Sequence, residues 1–355
     1  LINMISIKRI IAIVTTTMAF VSCNDHGTST ESATYLHGQE FTIEDGDLYV
    51  SDFLALSDSM IVFKSYDNRG NVKVFKRDGM TISESYMLFR KGRGEQEINF
   101  AISKYHDGTV FVFNKFGRNG IDKFFKARIN VEEPQSLIIN RTDWLNDIQT
   151  FGDFIPISDS TIIAIAGKWK EKELISLINI SNKERTPIKF WPEDRQEAPT
   201  QNKQVLYSTN AQICMNAERT KLVYACGEGK YLDIMTIEGM NITGHNVVLD
   251  ILPEYSYDGR NIILKNKDYR GIKIAATGNK IYVTYSNPAE DRDYKGFPWY
   301  FTDVIDVYDW DGNKLQRYVT DQPFYTFSVT DDDSEIFALT QDNDSKETVL
   351  KLYSL

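Results

Sequence analysis

A short pattern of polar and apolar positions returns six times along the chain. Each copy has two or three turn-forming residues, one further residue, and then an apolar run rich in β-branched and aromatic side chains. The runs begin at Ile61, Val110, Ile162, Leu222, Ile281 and Ile336, at intervals of 49, 52, 60, 59 and 55 residues. A repeat of this length carried by strands predicts a propeller or a solenoid.

The apolar runs show almost no alternation, which indicates strands that are covered on both faces. The second strand of a propeller blade, enclosed between neighbouring blades, has this property. The turn before each run then joins it to the first strand of the same blade. Candidate first strands precede the turns at residues 49–56, 100–105, 151–157, 211–215, 272–276 and 325–329.

Further hairpins supply the third and fourth strands of several blades. Their turns are Asp78-Gly79, Glu238-Gly239 and Asp311-Gly312, with a looser version at Asn182-Lys183. An Asp-Gly pair between two apolar strands is a strong hairpin signal.

The last copy lacks a fourth strand, because only Thr348 to Tyr353 remains after its second one. The segment from Tyr35 to Ile43 has no place in the first blade, so we expect it to supply the outermost strand of the last blade. Such closure removes open sheet edges. The sequence therefore predicts an all-β, six-bladed β-propeller over residues 35–355, with four-stranded antiparallel blades and an N-terminal closing strand.

Residues 1–23 have the pattern of an export signal. Lys8 and Arg9 precede an apolar stretch, Ile10 to Val21, which is shorter than a membrane-spanning helix. Met4 is the preferred initiator. The stretch ends in Phe20-Val21-Ser22-Cys23, which resembles a bacterial lipobox, so we expect cleavage before Cys23 and lipidation of that cysteine. An ordinary secretory signal with a chance cysteine is the alternative.

Residues 24–34 are small and polar, which is typical of a flexible tether. Beyond Cys23 the chain has Cys214 and Cys226, on two strands of one hairpin. If Cys214 lies opposite Val223, the two sulfur atoms are too far apart for a disulfide, so we expect two buried thiols.

Composition restricts the partners. The net charge is −10 and aromatic residues make up 12% of the chain. An acidic chain argues against nucleic acid and against an anionic membrane surface, since both require a basic stripe. We expect contact with a membrane through the lipid anchor only.

The lipobox, the six repeats and the turn Lys91-Gly92-Arg93-Gly94-Glu95 resemble the TolB-like six-bladed propeller lipoproteins of Bacteroidota. The turn departs from the family pattern, because Gln96 and Glu97 follow Glu95 before the apolar Ile98. The resemblance implies a binding or scaffold role in the cell envelope and supplies no catalytic residue.

Candidate chemistry is sparse. The four histidines are scattered, so no histidine metal site or dyad is predicted. No metal ligand or cofactor is assigned. The acidic turns 309–313 and 331–333 are best read as hairpin turns, with structural calcium as the alternative.

Propellers usually bind ligands around the central channel, on the face formed by the loops between second and third strands and by the connections between successive blades. Its largest insertion is predicted at Ser286 to Phe301 in blade 5, with aromatic rings suited to stacking on a sugar or peptide. The alternative is that these rings only pack against the blade. The ligand-binding candidates are Trp299, Tyr300, Tyr294, Phe297, Arg292, Trp169, Trp191, Arg93, Arg118 and Tyr255.

Three functions are compatible with these patterns. The favoured one is a non-catalytic binding or scaffold protein for a glycan, a peptide or an envelope protein, lipid-anchored at the outer membrane on its periplasmic or surface side. The alternative is a calcium-dependent six-bladed hydrolase or lyase. A purely structural role in an envelope complex is a third option.

Overall fold

Strands dominate the computed structural model, which describes residues 32–115, 121–133, 136–141, 145, 148–168, 171–239, 241–265, 272–286, 293–294, 296–298 and 300–355. Residues Ala33–Leu355 form one compact unit. In chain order, the strands up to residue 141 are β1 (Thr34–Leu36), β2 (Gln39–Glu40), β3 (Thr42–Asp45), β4 (Val50–Leu56), β5 (Met60–Ser65), β6 (Val72–Asp78), β7 (Thr81–Leu88), β8 (Ala101–His106), β9 (Thr109–Lys115), β10 (Ile121–Arg128) and β11 (Ser136–Arg141).

The remaining elements include one helix, α1 (Thr200–Ser208). The strands before it are β12 (Ile148–Pro156), β13 (Thr161–Lys168), β14 (Ile175–Asn179) and β15 (Glu184–Ile188). Those after it are β16 (Gln212–Met215), β17 (Lys221–Cys226), β18 (Lys230–Glu238), β19 (Asn241–Ile251), β20 (Tyr255–Tyr257), β21 (Ile262–Leu264), β22 (Lys273–Ala276), β23 (Lys280–Thr284), β24 (Asp293–Tyr294), β25 (Phe297–Pro298), β26 (Thr302–Asp309), β27 (Lys314–Val329), β28 (Glu335–Gln341) and β29 (Thr348–Ser354).

Antiparallel pairing groups these strands into four-stranded meanders. Meander 1 is β4 to β7, meander 2 is β8 to β11, meander 3 is β12 to β15 and meander 4 is β16 to β19. Meander 5 consists of β22, β23, β26 and the first part of β27. Meander 6 consists of the second part of β27, β28, β29 and β2, so one eight-stranded sheet contains both. The pairs β20–β21 and β24–β25 are separate two-stranded sheets.

The first strands of successive meanders contact one another. Contacts join β4 to β8, β8 to β12, β12 to β16, β16 to β22, β22 to the long strand β27, and β27 to β4. Each meander is therefore in contact, through its first strand, with two others.

The core consists of apolar clusters, each of which lies between two meanders that are in contact. The second strand β5 shows how: Ile61 and Phe63 pack toward meander 6, whereas Val62 packs toward meander 2. All three side chains are fully buried. The prediction that the apolar runs are covered on both faces is confirmed for this strand, and it explains why the runs do not alternate.

The N-terminal segment differs from the expectation. Of residues 35–43, Gln39 and Glu40 have ladder partners in the last strand, β29, and the Phe41 amide donates to the Leu350 carbonyl oxygen of that strand at 3.0 Å. Strand β1 instead runs parallel to β27, and β3 runs parallel to β7 of meander 1. Phe41 explains the division, because its ring is buried between meanders 6 and 1 and lies 5.7 Å from the ring of Phe337.

Helix α1 is a second difference, because the sequence predicted no helix. It begins after Pro199 and buries Leu206 and Tyr207 against the core between meanders 3 and 4. Gln204, also buried, donates from Nε2 to the carbonyl oxygen of Glu171 at 2.6 Å. No helix in the described part of the chain has the length and apolar character needed to span a bilayer.

The hairpin of the two cysteines has the expected register. Cys214 lies opposite Val223, and both cysteines are free thiols. Cys226 is buried and Cys214 is partly buried. Burial raises the pKa of each thiol to about 11, with Lys104 opposing the rise at Cys214. Both therefore stay protonated near neutral pH.

Candidate functional site

Ionisable side chains from several first strands meet where those strands converge. Lys104 Nζ of β8 lies 2.8 Å from Asp153 Oδ2 of β12. Lys64 Nζ of β5 lies 3.4 Å from Asp52 Oδ2 of β4. Lys273, the first residue of β22, interacts electrostatically with Asp52 and Lys64. These five residues together with Cys214 of β16 are called the axial cluster below.

The members of this cluster face one another across the space between the first strands. Asp52 belongs to meander 1 and Lys273 to meander 5. In the series of contacts meander 6 lies between these two, yet the charges of Asp52 and Lys273 interact. Lys104 and Cys214 interact in the same way from meanders 2 and 4. Solvent still reaches 24% of the Asp52 side chain and 26% of the Lys64 and Lys104 side chains. Solvent therefore reaches these side chains in the space between the first strands, which is called the channel below.

Asp52 is held as a carboxylate. Burial alone would raise its pKa, but the Lys64 and Lys273 ammonium groups, a hydrogen bond from Thr326 and the charge of Lys104 outweigh burial and lower the pKa to about 2. Thr326 Oγ1 donates to Asp52 Oδ1 at 2.6 Å. Burial likewise opposes the charge on Lys104, but Asp153 and its neighbours raise the pKa of that lysine.

Lys273 is in a different situation. Burial lowers its pKa, Asp52 opposes this change and Lys64 reinforces it. Within the part of the chain that the structure describes, its ammonium group has neither a hydrogen bond nor an ion pair. Lys104 and Lys64 by contrast each face a carboxylate within ion-pair distance.

An aromatic ridge lies beside the axial cluster. The rings of Tyr49 and Tyr66 meet edge to face at 5.9 Å. Tyr325 interacts electrostatically with Tyr66 and with Tyr300. The ring of Phe301 lies 5.4 Å from that of Tyr325 and 5.1 Å from that of Tyr300. The ridge is defined by these five residues, and it links meander 1, the last part of β27 and the loop between β23 and β26.

The ridge and the cluster are joined by hydrogen bonds at the start of β4. Tyr325 Oη donates to the carbonyl oxygen of Val50 at 3.0 Å, and the next residue, Thr326, binds Asp52. Three ridge side chains remain about half exposed: Tyr49 at 52%, Tyr66 at 49% and Tyr300 at 50%. Exposed tyrosines next to a charged channel offer both an apolar surface and polar groups to one ligand.

The residues predicted as ligand contacts fall into different places. Tyr300 is part of the ridge. Phe297 is buried and packs on Phe301 at 5.2 Å, as in the alternative in which the rings pack against the blade. Tyr255 is also buried, and its Oη donates to Asp194 at 2.5 Å. The structure thus makes Phe297 and Tyr255 core residues.

Two other predicted contacts are at least partly accessible. Arg93 is exposed in a loop beside the ridge, since Lys91 Nζ of this loop donates to the carbonyl oxygen of Tyr66 at 2.8 Å. Trp191 is partly buried against Tyr207, at 5.9 Å between ring centroids. Trp299, Arg292, Trp169 and Arg118 lie outside the described residues, and for Tyr294 only the backbone, in β24, is described.

The acidic turns use their carboxylates within the protein. Asp309 accepts backbone hydrogen bonds from Asp311 and Asn313, as expected of a hairpin turn. Asp333 accepts from the hydroxyl groups of Thr277 and Tyr282. Within the described ranges, no three His, Cys, Asp or Glu side chains are grouped as metal ligands.

A further depression, of about 360 Å³, lies at the outer edge of meander 1. Two of its carboxylates are in ion pairs: Arg69 lies 2.7 Å from Asp67, and the buried Lys73 lies 2.8 Å from Glu84. Asp45 and Asp47 also line the depression and leave it acidic. Within the described ranges these carboxylates are not grouped as metal ligands, so the depression is a weaker candidate for a ligand site than the channel.

Comparison with known proteins supports the fold. No family model and no curated protein matches the sequence. A solved Bacteroides fragilis protein described as exported is similar in structure, with a TM-score of 0.55 and 12% identity over 92% of this chain and 97% of the other. Its identity is too low to carry more than a likeness of fold.

Two other solved structures resemble the chain less closely. A manganese complex of oligogalacturonate lyase has a TM-score of 0.44 and 11% identity over 92% of this chain and 98% of that one. The β-propeller domain of a Myceliophteria thermophila protein has a TM-score of 0.38 and 9% identity over 86% and 99%. The meanders described above and the contacts between their first strands make the fold all-β and propeller-like.

Proposed function

We propose that this chain is a non-catalytic ligand-binding protein of the cell envelope, and that it binds its ligand at the aromatic ridge over the axial cluster. One observation carries the proposal: half-exposed tyrosines from different meanders are brought together at the entrance of a charged channel. Both axial carboxylates, Asp52 and Asp153, are neutralised by lysines, which favours binding over acid–base chemistry.

We infer that the six meanders are the blades of a closed six-bladed propeller. The first strands contact one another in a series that returns from β27 to β4, and each gap between meanders holds its own apolar cluster. The pairing of β2 with β29 supports closure through the last meander. This architecture agrees with the resemblance to TolB-like propeller lipoproteins.

The proposed cellular location rests on the N-terminal sequence pattern. Export, cleavage before Cys23 and lipidation of that cysteine would place the body on an outer-membrane tether. Labelled palmitate supplied to a Gram-negative host expressing the full chain should enter the protein, and Cys23→Ser should abolish the incorporation. Equal labelling of both forms would exclude Cys23 as the lipidated residue.

A saccharide is the ligand class that the ridge fits best. Tyrosine rings offer flat apolar faces to the C–H face of a sugar ring, while their hydroxyl groups and the axial charges offer partners to its hydroxyl groups. A peptide or an envelope protein is the competing outcome. Removing two exposed rings should weaken sugar binding, because such rings commonly dominate the binding energy of a site.

A glycan array followed by titration of the strongest binder tests this proposal. Tyr66→Ala combined with Tyr300→Ala should raise the Kd about tenfold or more, on the order of 1.4 kcal/mol. Tyr35→Ala is the matched control, since Tyr35 is 73% exposed and lies outside the ridge. A Kd unchanged by the double substitution, or an array on which nothing binds, would contradict saccharide binding at the ridge.

A further inference from the structure

The charges of the axial cluster do not balance. Three lysines, at 64, 104 and 273, face two carboxylates, Asp52 and Asp153, while the thiol of Cys214 is neutral. The axial cluster therefore carries a net charge of about +1 in a protein whose net charge is −10. This positive charge is a local feature of the axial cluster, since the composition of the whole chain is acidic.

The excess positive charge belongs to Lys273. Lys104 is committed to Asp153 at 2.8 Å, and Lys64 to Asp52 at 3.4 Å. Asp52 also accepts the hydrogen bond of Thr326. Lys273 has no such partner among the described residues, although burial opposes its charge. Asp52, whose charge acts on Lys273, is already paired with Lys64 and hydrogen-bonded to Thr326, so the site favours an incoming anion.

Lys273 also lies at the end of the channel where the exposed rings of the aromatic ridge are found. It is the first residue of β22 and pairs with Thr284, which ends β23. Tyr300 lies in the loop that follows β23, and Tyr66 directly follows the end of β5. Antiparallel neighbours bring the start of a first strand and the end of a second strand to one edge. The Lys273 ammonium and the exposed rings are therefore on the same side of the protein.

We propose that the ligand is an anionic saccharide whose carboxylate enters the channel and pairs with Lys273 while its ring stacks on the aromatic ridge. The inference rests on the proposed function and narrows the ligand class. One carboxylate matches the net charge of about +1 of the axial cluster. A divalent cation would meet net positive charge in the channel and is disfavoured.

Matched sugars provide the first experiment. A panel of uronic acid oligosaccharides is compared with the same oligosaccharides after reduction of each carboxyl group to a neutral hydroxymethyl group. Wild-type protein should bind the best acidic member at least tenfold more tightly than its reduced form. Lys273→Met should remove this preference, Lys273→Arg should retain it, and Lys76→Met, at an exposed lysine of β6, should leave it unchanged.

Sodium acetate, the smallest suitable carboxylate, provides a second readout that needs no sugar. At equal ionic strength, acetate should raise the Tm of wild-type protein above its value in chloride, because a ligand that binds only the folded state stabilises it. The increment should disappear in Lys273→Met and persist in Lys76→Met. Lys273→Gln replaces the methionine variant if that one does not fold.

The outcomes separate the two proposals. Equal affinity for acidic and reduced sugars, with binding still dependent on Tyr66 and Tyr300, would overturn the anionic ligand and leave the saccharide site intact. An acetate increment that depends on Lys273, with no sugar bound, would overturn the saccharide and leave the anion site. A preference for acidic sugars that survives in Lys273→Met would overturn the role of this lysine.

Discussion

Replacing Phe113 with alanine should lower the free energy of unfolding by about 3–5 kcal/mol, the usual cost of removing a buried phenylalanine. Phe113, on the second strand of meander 2, is fully buried. Its ring centroid lies 4.8 Å from that of Phe124, 4.9 Å from that of Phe151 and 5.1 Å from that of Phe154. The substitution therefore leaves a cavity between meanders 2 and 3, lined by rings that cannot readily collapse into it.

Urea denaturation followed by circular dichroism measures this effect. Phe100→Ala is the matched control, because Phe100 is 61% exposed and precedes the first strand of the same meander. We expect that control to stay within about 0.5 kcal/mol of wild type, as surface substitutions usually do. A loss below 1 kcal/mol in Phe113→Ala would show that the interface between the two meanders is not packed as described.

Acid should remove a stabilising contribution of Asp52. The pKa of this carboxyl is about 2 in the folded protein, below its ordinary value of 3.8. A carboxyl whose pKa is lowered by folding stabilises the protein above its unfolded pKa, and the contribution is lost as the pH falls through the folded pKa. The shift corresponds to about 2 kcal/mol, lost between about pH 5 and pH 2.

The comparison is between wild type and Asp52→Asn in urea titrations at pH 6, 4 and 2. Their difference in unfolding free energy should be about 2 kcal/mol at pH 6 and should shrink toward zero at pH 2. Asp58→Asn, at an exposed turn residue, should follow the wild-type pH profile. A difference that is the same at all three pH values would mean that Lys64, Lys273 and Thr326 do not stabilise the charged form of Asp52.

Much of the strand arrangement could be predicted because it depends on local signals. The apolar run after each turn reflects burial on two faces, and the glycines at 79, 239 and 312 adopt positive φ in hairpin turns. The register of β16 against β17 could likewise be predicted from the position of the hairpin turn after Cys214. Each of these inferences needs only residues that are close in sequence.

The elements that were missed depend on tertiary contacts. Helix α1 is a short polar segment, and it is stabilised by the burial of Leu206 and Tyr207 and by the hydrogen bond from Gln204, which no periodicity reveals. The division of the N-terminal segment depends on Phe41 reaching the core between meanders 6 and 1. In both segments tertiary packing determines a structure that the local sequence pattern does not indicate.

The axial cluster was missed for a similar reason. Asp52, Lys104, Asp153 and Lys273 lie far apart in sequence, and only the assembly of first strands brings them together. The sequence does contain a signal for this cluster. Each of these four residues is the single charged residue within a predicted first strand or at its start, where apolar residues dominate. The aromatic loop gives the more conspicuous sequence pattern, but only Tyr300 of its described side chains is exposed.

The continuous strand β27 has a consequence for cooperativity. Its first part pairs with β26 at the edge of meander 5, and its second part pairs with β28 as the innermost strand of meander 6. Separating these two meanders would break a strand and not a loop. Amide hydrogens of both should therefore exchange with solvent in a single opening event, whereas meanders 1 to 4, each a separate sheet, can open one at a time.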